Sequence, residues 1–379
     1  MDKILILKND RVGDLFNSLD GINAILEDNP NAKIEIVLSN ISQKLSFLFD
    51  MDNVTVTIIP YHLRISDKLK LFFKILDNSF EKIYILSPKN FYYYLPLFCK
   101  SKFYAITIKN SNKSRPLNFL LKKLFKYIIN NRNEKKINDN ISSLIFNLCS
   151  SKKLSSYKNI LNHNPQCSSL FQNNIGLFEN FIHIHYKHYI FRKNGWSNIS
   201  FFKLLNKLSY KNKVILTSDY GNFDYHKIFL SNLSYLDFSN SVDKIDLKQN
   251  IHYLHNINTS DLFKLINLSK TVISPHGAMT VMASYLQKKV IDIFDTNISI
   301  NAFREYKPRN DNYKFFIIKP DFDKILFKIN ININKYPFVK IDRSLNSNKF
   351  ISISGYKKKT WISMVKKLKK FMLINNFKF

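Results

Sequence analysis

The sequence predicts an α/β protein of two units, each built around a parallel sheet. Its 379 residues correspond to two domains of ordinary size. In both halves, short apolar runs alternate with segments whose apolar residues recur at helical spacing, which is typical of parallel strands covered by helices on both faces. In each half, one predicted strand also leads through a glycine turn into a helix, at Gly13 and at Gly277.

The first predicted unit covers residues 1–175. Its strands are predicted at 3–8, 34–38, 54–59, 82–86 and 103–108, and its helices at 15–28, 41–49 and 67–76. The stretch 109–175 loses the strand pattern and is rich in Asn, Lys and Ser, so we interpret it as a variable basic insert and linker. Within it, helices are predicted at 117–129 and around 139–149.

The second predicted unit covers residues 176–350. Its strands are predicted at 181–186, 213–217, 271–274 and 290–294, and its helices near 199–209, 260–268 and 278–287. Residues 351–379 follow as a basic C-terminal helix, whose apolar face carries Trp361, Val365, Leu368 and Phe371. Packing of this helix back on the first unit is one alternative.

Asp14 is the first candidate functional residue. The apolar run from Ile4 to Leu7 predicts a buried strand, a polar stretch follows, and Gly13 and Asp14 then open a helix. Asp14 is therefore expected at the carboxyl end of a strand, where ligands bind in open α/β sheets. Capping of the helix is the alternative role.

The chain has only 7 glycines, against roughly 27 in an average chain of this length, so a glycine at such a turn indicates a backbone requirement.

The second candidate is the turn from Pro275 to Gly277, which lies between a predicted strand and a helix rich in small residues. A glycine turn that feeds a helix N-terminus presents free backbone N–H groups and the positive end of the helix dipole, which together bind anions. The candidate anion-binding residues are His276, Gly277, Ala278, Met279 and Thr280. The alternative is an ordinary turn between strand and helix, in which His276 is a satisfied polar residue.

Arg192 and Lys193 form a third candidate, just before Gly195 and Trp196. Two cations and an indole ahead of a helix could clamp a phosphate or stack on a base. Because the chain is rich in lysine, a solvated basic loop without a ligand is an alternative of equal weight.

The formal charge of +30 favours an anionic partner, or else reflects a compositional bias towards Lys. Nucleic acid is not expected, because proteins that read bases tend to use Arg. The three cysteines show no metal spacing, so a reducing compartment is expected. Without a signal peptide or a long apolar run, we expect a cytoplasmic protein. We identify no metal site and no cofactor.

Three segments resemble glycosyltransferase family nine, the ADP-heptose:lipopolysaccharide heptosyltransferases. The run from Ile6 to Asp14 is similar to the family's N-terminal strand followed by Gly-Asp. The segment from Arg192 to Trp196 resembles its Lys-x-Trp entry to the second domain, and residues 259–294 resemble its strand, Gly-Pro-Met turn and strand. The chain departs from the family at His276, where the family has Asp-Thr, and at Thr280, where it has histidine. The Pro-His-Gly-Ala motif is also similar to that of family sixty-one transferases.

The resemblance implies the GT-B architecture, in which two Rossmann-like domains face a central cleft. It implies an inverting, metal-independent transfer of a hexosyl or heptosyl group from a nucleotide-diphosphate-sugar to a cell-surface glycan acceptor, such as the lipopolysaccharide core. Asp14 would be the catalytic base. The donor would be bound by Gly13, Arg192, Lys193, His276, Gly277, Ala278, Met279 and Thr280. The lipid-linked acceptor would be met at the inner face of the inner membrane, to which the protein would attach peripherally.

Two other classes of function remain open. A sugar-nucleotide epimerase shares the architecture, but it would need cleft carboxylates in more than one place. A non-catalytic basic protein could instead bind polyanionic glycan or nucleic acid. The basic helix predicted at 117–129, with Lys122, Lys123 and Lys126, could rest on anionic lipid or be an ordinary packed helix with a solvated face.

Overall fold

The computed structural model describes residues 2–107, 123–130, 141–149, 165–193, 198–221, 223–246, 249–294 and 313–317. These residues belong to one compact unit, residues 1–333, and form two lobes with a sheet each. The helix predicted within 351–379 lies outside the described residues. The domain boundary at 175 stays a prediction.

The first lobe contains a six-stranded parallel sheet in the order β3-β2-β1-β4-β5-β6. Its strands are β1 (Lys3–Lys8), β2 (Lys33–Ser39), β3 (Val54–Ile59), β4 (Lys82–Ile85), β5 (Lys102–Thr107) and β6 (Tyr127–Asn130). Its helices are α1 (Val12–Phe16), α2 (Leu19–Glu27), α3 (Ile65–Asn78) and α4 (Ile141–Phe146), with 3₁₀ segments at Gln43–Phe49 and Asn90–Leu97.

Both faces of this sheet are covered, as a continuous apolar strand requires. Ile4 and Ile6 of β1 face a core shared with α1, α2 and α4. Leu5 and Leu7 face the opposite core, which α3 and the segment Asn90–Leu97 close. The run of apolar residues in β1 is therefore buried on both sides, which explains why it contains no alternating polar positions.

The second lobe contains an eight-stranded sheet in the order β10-β9-β11-β8-β7-β12-β13-β14, parallel except for the pair β9–β10. Its strands are β7 (Phe181–Tyr186), β8 (Lys213–Ser218), β9 (Ser234–Asp237), β10 (Val242–Lys244), β11 (Ile251–His255), β12 (Thr271–Pro275), β13 (Lys289–Phe294) and β14 (Tyr313–Ile317). Its helices are α5 (Ser169–Asn173), α6 (His188–Lys193), α7 (Asn198–Ser209), α8 (Asp224–Asn232), α9 (Thr259–Leu268) and α10 (Ala278–Tyr285), and a 3₁₀ turn lies at Ile175–Leu177.

The prediction of a helix over 117–129 is wrong at its C-terminal end. Residues 127–130 form β6, which pairs in parallel with β5, while 117–122 lie outside the described residues. Tyr127, Ile128 and Ile129 are aromatic and β-branched, and pairing with an open sheet edge overrides their helical spacing. The helix predicted at 15–28 is divided into α1 and α2 near Ser18, whose hydroxyl donates to the Asp14 carbonyl at 2.8 Å.

A buried ion pair holds the carboxyl end of β1. Lys8 Nζ lies 2.9 Å from Asp10 Oδ2, and the Lys8 side chain is only 1% exposed. The Ser87 hydroxyl, just after β4, donates to the same carboxylate oxygen at 2.7 Å. Burial raises the pKa of Asp10, but the charge and hydrogen bond of Lys8 and the bond from Ser87 outweigh it, so this pKa lies below its usual value. The pair and the bond from Ser87 join the carboxyl end of β1, which leads into α1, to the segment that follows β4.

We expect the Asp10→Asn variant to be destabilised by about 3–5 kcal/mol near neutral pH, because the Lys8 ammonium would remain buried without a counter-ion. The pKa of Asp10 is lower in the folded chain than in the unfolded one. Its contribution to the free energy of unfolding is therefore full when the pH is above the unfolded-state pKa, near 4, and is lost as the pH falls through the folded-state pKa. Urea unfolding of parent and variant should therefore show a difference that shrinks towards acid. The exposed Asp50→Asn variant is the control, and a difference independent of pH would contradict the assignment.

Candidate active site

The two glycine turns that the sequence singled out lie side by side in the structure. A Cβ added to Gly13 would stand 3.5 Å from Ala278 Cα and 3.6 Å from Ala278 N. The ring of Phe16 also packs 5.6 Å from that of Tyr285. Helix α1 of the first lobe thus lies directly against α10 of the second, at a distance that leaves room at Gly13 for no more than a small side chain.

A cavity of about 330 Å³ opens beside this contact, within the size range of small-molecule sites. The first lobe contributes Lys44 to its wall. The second lobe contributes His185, Lys187, Thr217, Ser218, Asp219, Tyr220, Ile257, Asn258, Thr259, Leu262, Ala278 and Met279. These residues lie at the carboxyl ends of β7, β8 and β11 and at the N-termini of α9 and α10, where ligands bind in parallel α/β folds.

Lys187 places an ammonium at the N-terminus of α10. Its Nζ donates to the His276 carbonyl at 3.4 Å, and it occupies the space that a Cβ on Gly277 would fill. Gly277 also has φ of 158°, which side chains rarely adopt. Burial lowers the pKa of Lys187, while the carboxylates of Asp219 and Asp292 oppose this effect. The Gly277 N–H donates to Thr280 Oγ1 at 3.3 Å. A cation and the first N–H groups of α10 beyond it therefore converge on one point, which suits an anionic ligand.

The His276 ring contacts a buried carboxylate. Its Nδ1 lies 2.7 Å from Asp292 Oδ2, and the Asp292 side chain is fully buried in β13. A carboxylate on one ring nitrogen fixes the orientation of the imidazole. The Thr280 hydroxyl is buried and donates to the Gly277 carbonyl at 3.0 Å, so it closes the turn ahead of α10.

Asp219 brings a second charge to the cavity. Its Oδ1 lies 3.5 Å from His185 Nε2, and the other nitrogen of that ring lies 3.0 Å from the Thr217 hydroxyl. Burial raises the pKa of Asp219, but the hydrogen bond and charge of His185 and the charge of Lys187 outweigh it, so the net shift is downward. Asp219 is accordingly an ionised carboxylate at neutral pH.

Cations also surround the strand ends of the first lobe. The Arg11 guanidinium lies 5.6 Å and the Lys89 ammonium 4.7 Å from the centre of the Tyr61 ring. Lys89 donates to the carbonyls of Asn9 and Tyr61 at 2.9 and 2.6 Å. Across the cavity, Lys44 Nζ lies 6.0 Å from the ring of the exposed Tyr220 in the second lobe. Of these cations of the first lobe, Lys44 lies at the cavity itself.

No protein-family model matches the sequence, and no curated protein is similar to it in sequence. Solved structures are similar in fold. The ADP-heptose lipopolysaccharide heptosyltransferase II of E. coli has a TM-score of 0.58 at 14% identity over 87% of this chain and 98% of its own. The E. coli heptosyltransferase WaaC with ADP has a TM-score of 0.61 at 11% identity over 87% and 99%. The chain has the GT-B fold.

Two further GT-B structures widen this comparison. A family nine glycosyltransferase from Veillonella parvula has a TM-score of 0.57 at 11% identity over 90% of both chains. The UDP-GlcNAc 2-epimerase of Methanocaldococcus jannaschii has a TM-score of 0.53 at 12% identity over 88% of this chain and 93% of its own. At such identities the likeness establishes the fold, and the chemistry has to be argued from the site.

The predicted site residues take different places in the GT-B cleft. Asp14 lies half-buried in the first turn of α1, next to the Gly13–Ala278 contact, and the cavity wall does not include it. Ala278 and Met279 line the cavity. Arg192 and Lys193 end α6, which follows β7, so they belong to a helix and not to the loop that the sequence suggested.

Sequence reasoning missed Lys187, Asp219, Tyr220 and Lys44. Three of them carried a signal. Lys187 directly follows the predicted strand 181–186, and Asp219 and Tyr220 follow the predicted strand 213–217 and precede Gly221. Polar residues and a glycine after an apolar run are the same pattern that identified Asp14. Lys44 has no such signal, because its place at the cavity depends on how the lobes pack.

We expect Gly13→Leu to destabilise the protein by about 1–3 kcal/mol, because its side chain would push α1 away from α10. The Gly13→Ala variant should be tolerated, since its Cβ would make ordinary contacts with Ala278. Gly176→Leu is the matched control, because a Cβ there has nothing within 4 Å. Urea denaturation measures all three. Equal effects of leucine at both positions would show that the two helices do not touch in solution.

Proposed function

We propose that this protein is a glycosyltransferase that moves a sugar from a nucleotide-diphosphate-sugar to an acceptor hydroxyl. The observation that carries the proposal is the Lys187 ammonium at the N-terminus of α10, inside a cavity between two GT-B lobes. Such a site stabilises a departing diphosphate. One of the similar structures, WaaC, was solved with ADP. Membership of family nine is part of this proposal.

The donor's diphosphate would lie on the backbone N–H groups from Ala278 to Thr280, beside Gly277, whose own N–H donates to Thr280 Oγ1. Lys187 would neutralise part of its charge, with Arg192 and Lys193 of α6 as further cations. His276, oriented by Asp292, would donate to a phosphate oxygen. Gly13 would allow the donor to approach the backbone of the first lobe. Since these groups supply the positive charge, the reaction is proposed to need neither a divalent metal nor a cofactor.

The transfer itself is a single displacement. The acceptor oxygen attacks the anomeric carbon, the bond from that carbon to the diphosphate breaks, and the configuration inverts. Asp14 takes the proton of the acceptor hydroxyl. A carboxylate is a weak base at its ordinary pKa, so Asp14 acts late, when the hydroxyl has become acidic through bond formation.

The first lobe would hold the acceptor. Arg11 and Lys89 surround Tyr61 at the strand ends, and cations of this kind favour an acceptor that carries negative groups. We propose a lipid-linked, cell-surface glycan such as the lipopolysaccharide core, met at the cytoplasmic face of the inner membrane. Sugar and nucleotide remain to be identified by a thermal-shift screen of ADP-, GDP-, UDP- and CMP-sugars.

Asp14→Asn is expected to keep the fold and the donor affinity and to lower turnover by about 10²–10⁴, the usual contribution of a positioned base. Turnover is measured as nucleoside diphosphate released in the presence of acceptor, in excess EDTA. The exposed Asp50→Asn variant should match the parent. Near-normal turnover of folded Asp14→Asn would leave this residue only an acidic position in the first turn of α1, whose N-cap is Arg11.

Lys187→Gln is expected to weaken binding of nucleoside diphosphates by about 10–100-fold, because a hydrogen bond to a charged group contributes roughly 1.5–3 kcal/mol. Calorimetric titration with ADP, GDP and UDP measures the effect. Lys207→Gln, an exposed lysine of α7, should bind as the parent does. If the Lys187 variant retains full affinity, the diphosphate lies elsewhere.

A sugar-nucleotide epimerase is the second candidate. Asp219 favours it, because it supplies a second cleft carboxylate from the other lobe, and UDP-GlcNAc 2-epimerases share the fold. An epimerase would invert a sugar centre of the nucleotide-sugar without any acceptor, which NMR of the incubated donor detects. If the protein neither epimerises nor hydrolyses any donor, a non-catalytic binding protein would be supported.

A further inference from the structure

Helix α3 exposes a stripe of large apolar side chains. Ile65, Leu69 and Phe73 follow one another at a spacing of four residues and are 76%, 51% and 56% exposed. Leu76 continues the same face and is also exposed. Side chains at this spacing lie on one side of a helix. The helix is anchored through Leu71 and Ile75, which are buried, so the core does not explain the stripe.

A second segment extends this stripe. Leu97 and Phe98, at the end of the 3₁₀ segment Asn90–Leu97, are also exposed. The Phe98 ring meets that of Phe72 of α3 edge-on, with centroids 5.3 Å apart. The α3 patch, as we call it, consists of Ile65, Leu69, Phe73, Leu76, Leu97 and Phe98. Contiguous exposed apolar surface of this kind marks an interaction site.

Cations border the α3 patch. Arg64, Lys70 and Lys100 are exposed and lie within two residues of a patch residue in sequence. The acidic neighbours are Asp67, which accepts from the Arg64 backbone N–H at 2.9 Å, and the exposed Asp77. A second copy of this chain, with a formal charge of +30, would bring like charges together at such a surface. Three exposed cations against one exposed carboxylate, Asp77, favour an anionic partner with an apolar interior.

We propose that the α3 patch docks on an anionic lipid bilayer. The apolar side chains would enter the boundary between headgroups and acyl chains, while Arg64, Lys70 and Lys100 would meet the headgroup phosphates. In the described part of the chain, no helix could cross a membrane by length and apolarity. The proposed contact is interfacial, and it lies on a different segment from the basic stretch 117–129.

The position of the α3 patch leaves the cleft open. Leu71 and Ile75 pack in the core that contains Leu5 and Leu7, on the face of the first sheet opposite α1. Helix α3 begins four residues after Tyr61, whose ring is flanked by Arg11 and Lys89. Docking would therefore hold the cationic strand ends of the first lobe near the membrane surface. The inference does not rest on the proposed transferase activity, because binding to lipid needs no substrate.

The test is co-sedimentation of the full chain with vesicles of phosphatidylglycerol and phosphatidylethanolamine, compared with vesicles of phosphatidylcholine. The variant is Leu69→Gln with Phe73→Gln. The matched control is Ile199→Gln with Tyr210→Gln, two large side chains of the second lobe that are at least as exposed as Leu69 and Phe73. Melting temperatures and size-exclusion elution of all three proteins are recorded.

We expect the parent and the control to bind the anionic vesicles and the α3 variant to partition at least about tenfold less, since it removes two side chains from the apolar layer. Its melting temperature should not fall. Binding of the α3 variant equal to the parent's, or no binding by the parent, would overturn the proposal. A parent dimer that becomes monomeric in the α3 variant, without vesicle binding, would assign the surface to self-association. Diphosphate binding in solution should be unchanged, so failure of this docking and failure of the proposed activity are separable.

Discussion

The contact of α1 with α10 is the constraint on which the rest of the structure depends. It brings the N-terminal ends of two short helices together from opposite parts of the chain, with Gly13 against the Ala278 backbone. Around it, Phe16, Phe263 and Tyr285 form an aromatic cluster, with Phe16 6.4 Å from Phe263 and 5.6 Å from Tyr285. A cavity between two lobes has a defined shape only if the lobes are held in register. Here an apolar contact supplies that register, and the polar groups of the site are arranged around its edge.

The charges of the site are themselves held by buried partners. Asp10 is tied to Lys8 and Ser87, His276 to Asp292, and Asp219 to His185. Each partner fixes the direction of a side chain that could otherwise rotate, so the cleft is ordered before any ligand arrives. Lys187 is placed by a different device, because the missing side chain of Gly277 leaves room for its ammonium against the first turn of α10. Preorganised positive charge is what stabilisation of a leaving diphosphate requires.

The fold of this protein does not by itself identify its chemistry. Heptosyltransferases and epimerases share its architecture at 14% identity or less. The resemblance to family nine in short motifs extends to the strand, glycine turn and helix, and the structure keeps these elements. Where the family has an acidic residue and a hydroxyl ahead of the glycine, this chain has a histidine backed by a buried carboxylate. This chain presents the positive end of α10 at the turn, with His276 and Asp292 beside it.

The sequence by itself determined the class of fold, five of the six strands of the first sheet, four of the eight strands of the second and the two glycine turns. These follow from local periodicity and from the backbone freedom of glycine. It also placed Asp14 and Ala278 at strand-to-helix turns. Tertiary structure decided what surrounds them. Residues 127–130 became a strand because β5 offered an open edge. Lys44, Lys187 and Asp219 met at one cavity because three separate turns and both lobes converge there. Such meetings depend on contacts between distant segments, which no local pattern encodes.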